Sequence, residues 1–237
     1  MKRFLLLFFC CYTFTAVAAK PKNIYVKIET VYGTCIVQLY NQTPLHRDNF
    51  VKLAKAKFYN GLLFHRVMKN FMIQGGDPTS RNAQPESLLG EGDVGYKIKA
   101  EFNDSLFHKK GVIAAARDDN PEKASSGCQF YLVQGKVFTD EQLNMLEKTR
   151  LHFKIPEWQR AVYKTIGGAP HLDRNYTVFG EIISGLNVVD SIANVSTNKN
   201  NRPETDVQMK ITVLRRGQAR RLERKLAQDK INEKLRL

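Results

Sequence analysis

An arginine and a glutamine sit among large apolar residues in the run FHRVMKNFMIQGGDP, residues 64–78. If that run is extended, Met72 and Gln74 share a face, because side chains alternate along a strand. A second run, SSGCQFYLV at residues 125–133, would place Gln129 and Tyr131 on one face and Phe130 and Leu132 on the other. Two such strands side by side offer amides and aromatic rings together. That surface could hold an apolar ring and bond to a peptide carbonyl. The same pattern also describes an ordinary core, with Phe71 and Phe130 as packing and Arg66 as a surface charge. By pattern alone, the ordinary core is the stronger description.

Other chemistries find less support. The five histidines, His46, His65, His108, His152 and His171, form no H-x-x-x-H or Cys/His ligand pattern, so no metal and no cofactor is expected. His171-Leu172-Asp173 reads as a turn. Gly75-Gly76-Asp77 lacks the Lys-Ser/Thr of a phosphate loop, and no G-x-S-x-G nucleophile motif occurs.

The elements that must position these residues read as mainly β. Ile24, Val26 and Ile28 alternate with polar residues, as do Cys35, Val37 and Leu39, with Gly33 marking the hairpin between them. Thr43-Pro44 opens a helix, a hydroxyl N-cap followed by proline, with Phe50, Leu53 and Ala54 on one face. Further strands are expected at 112–116, 130–133, 177–183 and 207–213, and a short helix at 185–193. Many short strands with few helices indicate a barrel or a sandwich. Residues 134–170 break the pattern. Thr139 and Gln142 form a capping box, Leu143, Leu146 and Arg150 follow at helical spacing, and Pro156 opens a second helical stretch. A mostly helical insertion is expected there.

The chain has 237 residues, 43% of them hydrophobic and 25% charged, which excludes wholesale disorder. Its net charge of +14 is uneven. Residues 215–237 carry nine Lys or Arg against three acidic residues and read as a solvated, partly helical basic tail. Lys2 and Arg3 precede an apolar run that ends in Val17, Ala18 and Ala19, the layout of a secretory signal over residues 1–19. No later stretch is apolar enough to span a bilayer. Export argues against nucleic acid as a partner. The two remaining cysteines, Cys35 and Cys128, read as small buried hydrophobes, with a bridge between them as the alternative in an oxidising compartment.

The runs FHRVMKNFMIQGGDP, GVIAAAR, SSGCQFYLV and HLDRNYTVFGEIISGLNVVDSI closely resemble, in order, blocks of the cyclophilin family of peptidyl-prolyl cis-trans isomerases. The resemblance runs over about 24–214, interrupted by the insertion. It implies an eight-stranded antiparallel barrel closed by two helices, with residues 20–214 as the isomerase domain. It implies Arg66 as the catalytic residue and Phe71, Met72, Tyr131 and Leu172 as the pocket for the proline ring. Gln74, Gln129 and the Ala116 backbone match groups that hold the peptide. Tyr176 stands where a histidine is common, Arg117 where an asparagine is common, and His171 where many members have a tryptophan. Arg117 and Tyr176 are counted with the substrate-binding set. The implied substrates are unfolded or partly folded Pro-containing polypeptides, and the implied activity is isomerisation of X-Pro bonds in exported proteins. A periplasmic location and a monomer are expected. The alternative is a non-catalytic binding module or chaperone of the same fold. For the insertion, a lid or client contact beside the pocket is expected.

Overall fold

The structure is a computed structural model and describes residues 23–234. The segment expected as a signal, 1–19, lies outside them. Strands β1 (Ile24–Thr30) and β2 (Gly33–Leu39) form a hairpin, followed by helix α1 (Pro44–Lys55). Then come β3 (Arg66–Met68), β4 (Met72–Gly75), β5 (Lys97–Ile98), β6 (Val112–Ala115), β7 (Ser125–Ser126) and β8 (Phe130–Val133). Helices α2 (Asp140–Leu146) and α3 (Glu157–Thr165) make the insertion. The chain ends with β9 (Val178–Ser184), α4 (Asn187–Ala193), β10 (Lys210–Val213) and α5 (Arg216–Lys234).

Eight strands form one antiparallel sheet in the order β10-β1-β2-β9-β6-β8-β4-β3, while β5 and β7 pair separately. The sheet curls, and its two ends are linked by backbone bonds. The Phe64 amide donates to the Val207 carbonyl at 2.9 Å, and the Met209 amide donates to Leu62 at 2.9 Å. This modifies one expectation. Val207 and Met209 do alternate into the core, but β10 begins only at Lys210. Its partner β1 ends at Thr30, so 207–209 bond instead to the segment that leads into β3.

Register explains why the sheet has two distinct faces. Val67, Ile73, Leu132 and Ile113 lie directly opposite one another across β3, β4, β8 and β6. All four join the main core with Phe50, Tyr59, Phe64, Phe130 and Phe179. Phe130 is met edge-on by Phe50 at 5.3 Å and Tyr59 at 5.5 Å. The neighbouring row faces the opposite way, as strand alternation requires. Helix α1 packs against β9 and β10, and α4 packs against β2, β3 and β4. Phe50, Leu53 and Ala54 are buried on α1 as their spacing predicts.

The start of α1 differs from expectation. The Thr43 hydroxyl makes no cap bond. Instead the Glu101 carboxylate accepts the Leu45 and His46 amides at 3.0 Å each, and His46 Nδ1–H at 2.7 Å. An anion from a distant loop thus satisfies the orphan donors and sits favourably at the positive end of the helix.

The insertion packs Phe138, Leu143, Leu151, Ile155 and Tyr163 into a small core around Phe107, which comes from the segment before β6. The Thr139–Gln142 capping box forms as predicted. Helix α2 passes into a π-turn at Glu147–Leu151, which stops at His152 with a left-handed backbone. Buried Arg160 donates to the Glu147 carboxylate at 2.9 Å and to Asp140 at 2.8 Å. At the base of the insertion, Lys136 and Gly168 exchange backbone hydrogen bonds. A Cβ at Gly135, where φ is +63°, would collide with the Gly168 backbone. Helix α5 buries none of its residues, and Tyr25 Oη donates to its Glu223 at 3.1 Å. Among the described residues, no helix is long and apolar enough to cross a membrane. Cys35 and Cys128 are buried free thiols.

Candidate active site

One row of opposed residues crosses four strands. Arg66 faces Gln74, Gln74 faces Tyr131, and Tyr131 faces Ala114. Residues opposite one another share a face, so β-pairing alone brings the arginine, the amide and the phenol together. Met72, two positions from Gln74 on β4, joins them on that face. A cavity of about 100 Å³ opens above the row, lined by Arg66, Phe71, Met72, Gln74, Ala116, Arg117, Tyr131, Leu172 and Tyr176. Nine of the ten residues singled out in the sequence meet there. Gln129 lies beside it, on a more polar cavity of about 220 Å³ that shares Gln74, Ala116 and Arg117.

The orientation of Arg66 is fixed by a chain of amides. Gln129 Nε2 donates to the carbonyls of Gly90 at 2.7 Å and Gly92 at 2.8 Å. Its Oε1 therefore faces Gln74, whose Nε2 donates to it at 3.0 Å. That leaves Gln74 Oε1 to accept from Arg66 Nη1 at 3.1 Å. Two backbone carbonyls thus decide both amide orientations and anchor the guanidinium. Arg66 Nη2 also rests on Met68 Sδ at 3.1 Å. Burial draws the Arg66 guanidinium below its ordinary value. An arginine starts so high that it remains a cation and donor.

Ala116 is more committed than the sequence suggests. Its N–H donates to the Gln129 carbonyl at 2.9 Å, and its own carbonyl accepts from the Ser126 amide at 2.8 Å. Only the second lone pair of that carbonyl is left to receive a further bond. Arg117 folds back. Its Nε donates to the Asn175 carbonyl at 3.0 Å, and its guanidinium lies 5.0 Å over the Tyr176 ring. Tyr176 in turn meets Tyr131 edge-on at 5.9 Å. His171 packs against Phe71 at 5.1 Å. Burial, reinforced by Arg150 and His108, holds His171 down at about 4, so a neutral ring borders the cavity at neutral pH.

Three polar groups behind the pocket have no counterpart in the sequence reading. Tyr131 Oη donates to His108 Nε2 at 2.9 Å, His108 Nδ1–H donates to Asp173 Oδ1 at 2.8 Å, and Tyr163 Oη donates to Asp173 Oδ2 at 2.6 Å. The only available signal was Asp173 in the 171–173 turn, whose partners lie 10 and 65 positions away. No residue of 134–170 lines the Arg66 cavity, so the insertion borders it indirectly rather than covering it.

The comparisons agree with this architecture. A crystal structure of a cyclophilin-type peptidyl-prolyl cis-trans isomerase from Cryptosporidium parvum superposes with a TM-score of 0.62 at 22% identity, covering 82% of this chain and 99% of that one. The same protein in the presence of the dipeptide Ala-Pro gives 0.60. The fold is thus of the cyclophilin type. Residues 25–213 match the family model "Cyclophilin type peptidyl-prolyl cis-trans isomerase/CLD". A putative peptidyl-prolyl cis-trans isomerase of Staphylococcus haemolyticus is 34% identical over 189 residues, 79% of this chain and 89% of that one. A putative bifunctional phosphatase/peptidyl-prolyl cis-trans isomerase of Streptococcus pyogenes is 35% identical over 185 residues, 77% of this chain but only 37% of that one. The chain belongs to the cyclophilin-type peptidyl-prolyl cis-trans isomerases.

Proposed function

We propose that the chain accelerates X-Pro isomerisation in exported polypeptides, with Arg66 as the catalytic residue. The X-Pro amide resists rotation because of its partial double bond, with a barrier of ~18–20 kcal/mol. Rotation therefore takes roughly tens to hundreds of seconds unaided. An enzyme needs only to favour the twisted amide over both planar forms. Twisting breaks the conjugation and returns a lone pair to the prolyl nitrogen. A guanidinium beside that nitrogen can donate to it. Phe71, Met72, Tyr131 and Leu172 hold the ring while the preceding carbonyl turns. Each tenfold of rate needs ~1.4 kcal/mol of such selective stabilisation.

The observation that carries this reading is the amide chain from Gly90 and Gly92 through Gln129 and Gln74 to Arg66. It fixes a half-buried cation in the wall of a cavity whose other side is Phe71, Met72, Tyr131 and Leu172. A donor fixed in advance costs no reorganisation when the substrate twists. In this reading Gln74 and Gln129 act chiefly by orienting Arg66, since their amides are already engaged. The related Cryptosporidium parvum protein, crystallised in the presence of Ala-Pro, supports a proline-containing ligand for this fold.

Export rests on the basic, apolar and small-residue sequence of 1–19. Chains that refold outside the cytoplasm wait on proline isomerisation, which gives an exported isomerase its clients. The test of the mechanism is cis-trans exchange of a short Ala-Pro peptide followed by NMR. Arg66→Ala should lower kcat/KM by about 10²–10³, the usual cost of losing one fixed donor, with the fold intact. A folded Arg66→Ala variant that keeps wild-type turnover would remove Arg66 from the mechanism. N-terminal sequencing of the protein from a fractionated cell tests export, with a start near Lys20 in the periplasmic fraction as the expected result.

A further inference from the structure

We infer that the helical insertion acts on the Arg66 pocket through a buried hydrogen-bond chain, Tyr163–Asp173–His108–Tyr131, which makes Tyr163, Asp173 and His108 positioning residues for the Tyr131 ring. The inference rests on the pocket being the proline site.

All four side chains are buried. Tyr163 is 0% exposed, His108 1%, Tyr131 4% and Asp173 6%. The Asp173 carboxylate can only accept, so it sets the donors on both its sides. A phenol beside a carboxylate can only donate, so Tyr163 donates to Asp173 Oδ2. Asp173 Oδ1 accepts both the His108 backbone amide and His108 Nδ1–H, each at 2.8 Å. The other side of the same imidazole, Nε2, meets the Tyr131 hydroxyl at 2.9 Å, so the ring bridges the carboxylate and the phenol. Burial pushes both phenols well above their ordinary value, and the neighbouring acidic groups add to it, so both remain protonated donors.

The two ends of this chain belong to different parts of the molecule. Tyr163 sits on α3, packed edge-on against Phe107 at 5.3 Å and Phe138 at 6.3 Å in the core of the insertion. Tyr131 lines the pocket with its ring and sends only its hydroxyl out the back. The His108 ring lies nearly parallel to it, at 15° and 6.0 Å. A phenylalanine would fill the pocket equally well. What the hydroxyl adds is a fixed ring position, referred through three bonds to the insertion. Buried polar chains are rigid when every member is satisfied, and they lose that rigidity when one member is cut. The insertion thereby sets the wall against which the proline ring would turn, without entering the cavity.

The test is a double-mutant cycle on Ala-Pro peptide exchange, with thermal unfolding of each variant alongside. Tyr163→Phe keeps the ring in its packing and cuts only the far bond. It is expected to lower kcat/KM between about threefold and tenfold, the lower part of the range for coupled neighbouring side chains. In a Tyr131→Phe background, where the chain is already cut at the pocket end, it is expected to cause no further loss. NMR of the Tyr131 ring should show it more mobile in Tyr163→Phe, a readout that needs no turnover. Equal losses in both backgrounds, or a Tyr163→Phe that unfolds earlier yet turns over like wild type, would overturn the inference. Loss of wild-type turnover in Arg66→Ala confirms the site independently of this cycle. A wild type that neither turns over nor binds the peptide overturns the pocket reading and this inference with it.

Discussion

The barrel and the insertion solve the same problem at different sizes. The barrel core gathers large apolar side chains from eight strands and two helices, with aromatic rings meeting at Phe130, and its buried charges, Asp77 and Arg202, stand outside that apolar cluster. The insertion supplies only five buried residues to its core, the sixth being Phe107 from before β6, and it places Arg160 and Glu147 beside them as a buried ion pair. A small cluster removes too little apolar surface from water to set its geometry by packing alone. The ion pair adds little net stability, because desolvation offsets attraction, but it penalises any arrangement that separates the two charges. Burial alone would raise the Glu147 carboxyl. Its bonds to Lys154, the Ile155 amide and Arg160 more than offset that and hold it below its ordinary value.

Three experiments sharpen the contrast, in descending size. Phe130→Ala should cost about 3–5 kcal/mol and lower a single unfolding transition for the whole chain, measured by denaturant titration. A loss confined to one region would contradict a continuous barrel core. Arg160→Ala should cost roughly 3 kcal/mol, since it takes the buried cation from Glu147 and leaves that carboxylate to Lys154 and the Ile155 amide, and the loss should be local. Hydrogen exchange should rise over α2 and α3 while amides of β6 and β8 stay protected. Uniform exchange across both regions would mean the insertion has no separate stability.

The third experiment is acidification. Burial, reinforced by Arg66 and Arg202 and partly offset by Asp77, holds His65 in the barrel at about 4, below its unfolded value near 6.5. As pH falls below 6.5 the unfolded chain takes up the proton first, so stability falls between 6.5 and about 4. The loss by pH 5 is on the order of 2 kcal/mol. His46 and His171 are also lowered and add in the same direction. Glu147 is depressed instead, so its contribution is intact above its unfolded value near 4.5 and fades only below that. Acid should therefore weaken the barrel first. Exchange data at pH 5 in which only the insertion loosens would reverse that order.

The strands were legible in the sequence because each signal is local. Alternation at Ile24, Val26 and Ile28, or at Phe130 and Leu132, directly encodes which face is buried. The insertion was legible for the same reason, through Thr139 and Gln142. Arg66, Met72, Gln74 and Tyr131 became legible as a set only through family resemblance, because register between strands is not written in any one of them. Contacts between loops were not legible. Glu101 caps α1 from 55 positions away, while the adjacent Thr43 hydroxyl that the motif predicts does not. His108 and Asp173 pair over 65 positions, and nothing in either neighbourhood names the other.

The glycine contact at the foot of the insertion, where Gly135 meets Gly168 and Lys136 bonds to it, has a consequence for how this protein can vary. The chain departs and returns through one point on the barrel. Doubling the length between those glycines costs only about 0.6 kcal/mol of closure entropy. The segment is therefore a port at which lineages can exchange, shorten or extend a module while the barrel stays as it is. Such a replacement must supply again a hydroxyl positioned for Asp173 and a cover for Phe107, which Tyr163 and Trp158 now provide.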